Sequence, residues 1–391
     1  MIGKRLRQIR LSRNLSLDAL AAKMGGIVTK QALSKYELDK AQPSPVVLGK
    51  LAAALGVKAT DLLSEPSVTV EFIAYRRTSG LLKRDRARVE SIVEQSLEER
   101  VRLQELAGQT DGSSIPIKAL PVRSLEETEV AAGQLRAMWQ LGINPISDLT
   151  STLEDHFMSV LEVEAGEGFD GIAAIAYDAD RRPKAAAVVT RSGVPGERQR
   201  LNLAHELGHF VLDISEDVDE EKAAFRFGGA LLAPADDLRR AVGSKRALIQ
   251  SEELVLLKKR FGLSIQALLY RLRDLDIITE SYYKRWCIEI NRRSWRKHEP
   301  NPLPSEKPHW LERSALRLVG EGLLSRQDAR KLLGDSVPLE EPLSVVERRA
   351  FMKLPAEKRR RILAEQARKM AKHYEQDTER RELQGGDVIE Y

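Results

Sequence analysis

Apolar residues recur at three- and four-residue steps through most of this chain and at two-residue steps in only a few short runs. The first spacing lines up one face of a helix and the second one face of a strand, so the pattern predicts a mainly α protein with a small β-sheet, an α+β class. In residues 1–64, an amphipathic helix covers 2–13, Ser16 caps a second through Met24, Gly25-Gly26 makes a turn, and Thr29 caps a third. A fourth helix covers 45–55 and a short one follows Thr60. Residues 65–120 read as a strand at 68–75 and a charged helix at 83–106. Its Val89, Val93, Leu97 and Val101, joined by Ile92, form a stripe that could pack within the chain or pair two copies.

Residues 121–275 begin with a helix at 128–141. Runs at 171–177 and 184–190, joined by Asp178-Ala179-Asp180-Arg181, read as a hairpin of an antiparallel sheet, whose edge could accept an extended peptide. Gly193 to Gly196 then lead into an apolar helix around residue 205, and helices at 252–261 and 265–275 complete the segment. In residues 276–340, Trp295 reads as covered by the stems of Arg293 and Arg296, Pro302, Pro304 and Pro308 mark an extended connector, and a helix pair covers 310–321 and 325–333. Within 341–391, Pro355 opens a helix to about 376. Its stripe of Leu363, Ala367, Met370 and Tyr374 is too narrow to make a core of its own.

The apolar helix carries the candidate chemistry, His205-Glu206-Leu207-Gly208-His209. Positions i and i+4 share a helix face, so both imidazoles can reach one metal ion, with Glu206 offset as a general base for its water. A hydrolytic zinc site needs a third protein ligand and an open fourth position. The acidic run after Asp217 offers Asp219, Glu220 and Glu221, and spacing leaves the choice open; the run also suits charge compensation at a helix N-terminus. Such donors favour Zn²⁺ and admit Mn²⁺. Tyr177, Tyr270 and His156 carry groups that could stabilise an oxyanion.

The segment LNLAHELGHFVLD followed by EEKAAFRFGGALLAP resembles the ImmA/IrrE family of bacterial metallopeptidases. The resemblance implies a zincin-like α+β domain and a zinc endopeptidase, with His205, His209 and Glu221 as ligands and Glu206 as catalytic base. Counting back from Leu231-Leu232-Ala233-Pro234 places the family's third ligand on Glu221. Phe225 stands where the family usually has Asn, Gly228 where it has Ala, and Ala233 where it often has Met; none is a ligand, and the departures bear on the shape of the pocket.

Charge separates the modules. The chain has a net charge of +5, yet residues 1–64 hold 11 Lys/Arg against 4 Asp/Glu, a balance of +7 that suits a phosphate backbone. The third helix turns Leu33 and Tyr36 inward and Lys30, Gln31, Ser34 and Lys35 outward; with Thr29 and Lys40 these are the candidate DNA contacts. Ser34-Lys35-Tyr36-Glu37 with Pro43-Ser44 makes residues 3–63 similar to the XRE helix-turn-helix family. That similarity implies a five-helix lambda-repressor-like domain on double-stranded operator DNA, commonly as a homodimer. The turn at Gly25 to Thr29 is about two residues longer than in that family, which would tilt the third helix.

The single Cys287 excludes a disulfide framework and reads as a small core residue. No signal segment or membrane-spanning apolar run is present, so the expectation is a cytoplasmic protein with no membrane partner. Residues 375–391 resemble the tails of small bacterial antitoxins, which implies a toxin-binding segment. Taken together the readings imply a DNA-binding regulator whose zinc peptidase hydrolyses a repressor or antitoxin to relieve repression. The alternative is an antitoxin-type regulator that represses its operon and neutralises a toxin through its tail without proteolysis.

Overall fold

The computed structural model describes residues 2–75, 83–109, 115–164, 169, 171–296, 298–334 and 351–375. The chain forms two units, Met1–Leu333 and Gly334–Tyr391.

Helices α1 (Ile2–Ser12), α2 (Leu17–Lys23), α3 (Lys30–Glu37), α4 (Pro45–Leu55) and α5 (Ala59–Leu63) close around Leu6, Ile9, Leu20, Leu33, Leu51 and Leu62. Side-chain caps set their starts: the Ser16, Thr29 and Ser44 hydroxyls accept from the backbone N–H of Ala19, Ala32 and Val47 at 3.0, 3.2 and 3.4 Å. Gly25 and Gly26, at φ 70° and 72°, take up the long turn, and Val28 returns to the core before α3. The Arg10 guanidinium reaches Glu37 at 2.7 Å and the Leu15 carbonyl at 2.7 Å, fastening α1 to α3.

Next come β1 (Thr69–Tyr75), α6 (Lys83–Leu106), β2 (Leu120–Val122), α7 (Glu127–Met138), α8 (Leu149–Asp155), β3 (Met158–Val163), β4 (Gly171–Tyr177) and β5 (Pro183–Arg191). The sheet order is β1-β4-β5-β3, with β1/β4 and β4/β5 antiparallel and β3/β5 parallel. A purely antiparallel sheet is therefore corrected to a mixed one. Strand β3 follows α8 within three residues and alternates weakly, so it carries little local signal. In the β4–β5 turn, the Asp178 carboxylate accepts from the N–H groups of Asp180 and Arg182 at 3.0 and 2.8 Å.

Period-two alternation explains the layering. Ile172, Ala174, Ala176, Ala185, Ala187 and Val189 pack with the α6 stripe of Val89, Val93, Leu97 and Val101, whereas Ala173, Ile175, Ala186 and Val188 face the core on the other side. Strand β1 and helix α6 are thus a layer of the central fold. Burial of the stripe within the chain removes its argument for a homodimer.

Helices α9 (Gly196–Val211), α10 (Glu220–Leu232), α11 (Ala235–Val242), α12 (Ser251–Phe261), α13 (Ile265–Asp274) and α14 (Glu280–Arg292) build the second core, with β6 (Leu212–Ile214) pairing in parallel with β2. Helices α15 (Trp310–Gly320) and α16 (Arg326–Leu333) follow. Helix α1 packs on α6, where Arg5 pairs with Glu98, and Lys58 Nζ lies 2.8 Å from Asp328 of α16. The Trp295 ring stacks near Trp286 under the Arg293 guanidinium.

The proline-rich connector is a strap over the start of α9. Proline denies it a regular ladder, so its carbonyls and remaining N–H groups pair individually. Gly196 N–H donates to the Leu303 carbonyl and Leu303 N–H to Glu197, each at 2.9 Å, while the Gln199 amide exchanges two bonds with the Glu306 backbone at 2.9 and 2.7 Å. Fully buried Lys258 of α12 binds Glu197 at 2.6 Å and Glu299 of the strap at 2.9 Å.

In the second unit, α17 (Ala356–Glu375) leaves Leu363 and Ala367 of its stripe exposed. The antitoxin-like tail from residue 376 onward lies outside the described residues. Among the described residues no helix is long and apolar enough to cross a membrane.

Removing one member of a buried ion triad strands the others. Lys258→Met is expected to destabilise the chain by about 3–5 kcal/mol, read from the midpoint of urea unfolding, whereas Lys307→Met at the exposed pair with Glu162 should shift it by less than about 1 kcal/mol.

Candidate metal centre

Helix α9 runs polar for its first turn and apolar thereafter, ending where the chain turns extended into β6. His205 and His209 project from one face, with their Nε2 atoms 3.1 Å apart and rings edge to face. Two nitrogens held about 2.0–2.1 Å from one tetrahedral ion would stand about 3.3 Å apart, so this convergence suits a shared cation. Helix α10 supplies the carboxylate: Glu221 oxygens lie 3.6 Å from each Nε2 atom. One ligand atom from each of His205, His209 and Glu221 falls within 4.8 Å of the others. Two imidazoles and one carboxylate are the donor set that zinc takes in hydrolytic sites, and the residues fit the ion.

The acidic run divides its work. Asp219 caps α10, accepting from Lys222 N–H at 3.0 Å, and these hydrogen bonds hold its carboxyl below the ordinary aspartate range. Glu220 reaches the far side of His209, Oε1 to Nδ1 at 3.1 Å, with Lys118 Nζ 4.0 Å behind it. With Nδ1–H donating to a carboxylate, His209 keeps the lone pair on Nε2, facing Glu221 and His205. Glu221 faces the histidines. Sequence reasoning assigned no role to Glu220 as a partner of His209 or to Lys118. Only the adjacency of Glu220 to the ligand position carried any signal.

Glu206 is buried against the backbone at the start of β4. A β-carbon at Gly171 would stand 2.7 Å from Glu206 Cδ, so the glycine makes the space that the carboxylate occupies. The two helices approach closely for the same reason: a β-carbon on Gly208 would lie 3.1 Å from Ala224 Cα, and one on Gly228 3.1 Å from His205 N. The far end of α10 is fixed by Arg136, whose guanidinium donates to the Leu231 carbonyl, and by Arg271, which donates to Ala233 at 3.1 Å.

His205, Glu206 and His209 are 1–3% exposed, whereas the Glu221 side chain is 50% exposed. Phe225, one turn beyond Glu221, lays its ring 4.1 Å from that of His205. The three other groups that could stabilise an oxyanion are placed as follows. His156 stacks on Trp139 with Nδ1 on the Thr152 carbonyl, Tyr177 sits at the opposite end of β4 from Gly171, and Tyr270 packs with Tyr283 and Arg273.

The N-terminal five-helix array leaves Thr29, Lys30, Gln31, Lys35 and Lys40 exposed and Ser34 half-buried on or beside α3; Lys30 is paired with Asp18 at 2.6 Å. Residues 6–62 match the helix-turn-helix family model, and residues 176–273 match the IrrE N-terminal-like domain of the M78 peptidases. The chain joins an XRE-type helix-turn-helix domain to an IrrE N-terminal-like domain. The first domain is also 41% identical over 63 residues to the SPbeta prophage-derived uncharacterized HTH-type transcriptional regulator YonR of Bacillus subtilis (strain 168). That alignment covers 16% of this chain and 56% of the relative. The IrrE-like match includes α9 and α10, and β1, α6 and the strap over α9 lie outside it.

Glu220→Gln is expected to weaken zinc binding by roughly 10- to 100-fold through loss of the carboxylate on His209, while Asp219→Asn, which keeps a capping oxygen, leaves it within about twofold. Competition against a chromogenic chelator measures both.

Proposed function

We propose that this chain is a DNA-binding transcriptional regulator carrying a zinc-dependent endopeptidase that hydrolyses a regulatory protein, most simply a partner repressor, and so relieves repression. The observation that carries the reading is the convergence of His205, His209 and Glu221 beside a buried Glu206, in the same unit as a helix-turn-helix domain whose α3 face is open. We place it in the cytoplasm, acting on double-stranded operator DNA, as a homodimer on symmetric half-sites.

His205, His209 and Glu221 would hold the ion. When bound, zinc lowers the pKa of water and polarises a carbonyl. Glu206, packed against Gly171, takes the proton of the attacking water on its carboxylate and delivers it to the leaving amine nitrogen. A carboxylate shielded from solvent and held on one side by backbone has little freedom to turn away from that path. On the DNA side, Gln31 and Lys35 are the exposed groups of α3 best placed for base edges, and Lys30 and Lys40 serve the phosphates.

Glu206→Gln should keep about one zinc per chain and lose about 10²–10⁴-fold in hydrolysis of the partner repressor, followed by gel and mass spectrometry. Zinc content unchanged with cleavage also unchanged would remove Glu206 from the mechanism. Lys35→Ala should weaken operator binding at every sequence if the residue reads phosphate, and mainly at one base pair, by about 1–3 kcal/mol, if it reads a base edge. Competition between single-site operator variants separates the two.

A further inference from the structure

His205, Glu206 and His209 of α9 are almost fully buried, whereas Glu220, Glu221 and Phe225 of α10 are exposed, as is Lys118 beside Glu220. Glu221 and Phe225 are four residues apart and so share a helix face. The Phe225 ring centroid lies 4.1 Å from that of His205, and the residue is 39% exposed. Glu206 packs against Gly171, where a β-carbon would have no room. A peptide reaching the cluster over α10 would lay a side chain against this partly exposed ring.

We propose that Phe225 is the wall of a substrate subsite that selects an apolar, preferably aromatic, side chain beside the scissile bond. The inference rests on the open metal centre proposed above and adds its specificity. Covering a ring already packed on His205 costs little ordering of the ring itself, and ring-on-ring contact favours an aromatic partner over a methyl group. A polar residue at position 225 would leave the metal reachable but the subsite unselective.

The test uses the full-length zinc-loaded protein and two metal-binding probes that need no turnover, acetohydroxamate and phenylacetohydroxamate, titrated by calorimetry. The wild type is expected to bind the phenyl probe about tenfold tighter than the methyl probe. Phe225→Ser should reduce that ratio to about twofold or less with zinc content unchanged, and Phe225→Tyr should restore it. Because the readout is a ratio of two probes on one protein, a general loosening of His205 moves both affinities and leaves the ratio alone. Equal ratios in the wild type and Phe225→Ser overturn the subsite while leaving the metal centre standing. Failure of the zinc-loaded wild type to bind either probe overturns the open coordination position, and with it the hydrolytic reading on which the subsite depends.

Discussion

Helices α9 and α10 pack with backbone almost against backbone, and His205, His209 and Glu221 converge because they do. Gly208 faces Ala224, and Gly228 faces the main chain of His205. Glycine inside a helix costs about 1 kcal/mol relative to alanine, and here that cost is offset by bringing the Glu221 carboxylate within reach of two imidazoles on the neighbouring helix. Wider spacing would leave two histidines without a third donor. Much of the surrounding structure serves to keep these two helices where they are: the strap and Lys258 hold the start of α9, the sheet supports its length, and Arg136 and Arg271 hold the end of α10.

One of those supports is ionic and buried, which gives it a particular physical character. A buried charge triad adds little over an apolar cluster of equal volume, but it tolerates one geometry and penalises loss of any member. Lys258 with Glu197 and Glu299 therefore acts as a registration device, tying a strap outside the IrrE-like match to the first turn of α9. The DNA-binding side is built into the same unit by a similar logic. Helix α1 is shared, clasping α3 through the Arg10–Glu37 pair and resting on α6 through Arg5 and Glu98, while α6 covers one face of the sheet that carries α9 on the other.

Legibility in the sequence followed the range of the interaction. The helices of the first 64 residues, the hairpin at 171–191 and the pairing of His205 with His209 depend on neighbours a few residues away, on caps, turns and the helical repeat, and they could be read directly. The acidic run could not be resolved by spacing, because Asp219, Glu220 and Glu221 differ by a hundred degrees of helix rotation each, and only the approach of α10 to α9 decides which one faces the histidines. Strand β3, the parallel pairing with β5 and the β2–β6 pair are contacts between distant segments with no local signature.

By itself, then, the sequence determined which residue types could do metal-assisted hydrolysis and which helix face could meet DNA, since both are properties of periodicity within single helices. Tertiary structure decided the rest. It turned the stripe at 89–101 inward onto the sheet, gave Gly171 its meaning as the space for Glu206, set Glu220 behind His209, and stacked His156 on Trp139. Each of these depends on where two separate segments meet, and that is fixed by packing across the whole unit rather than by any repeat within a segment.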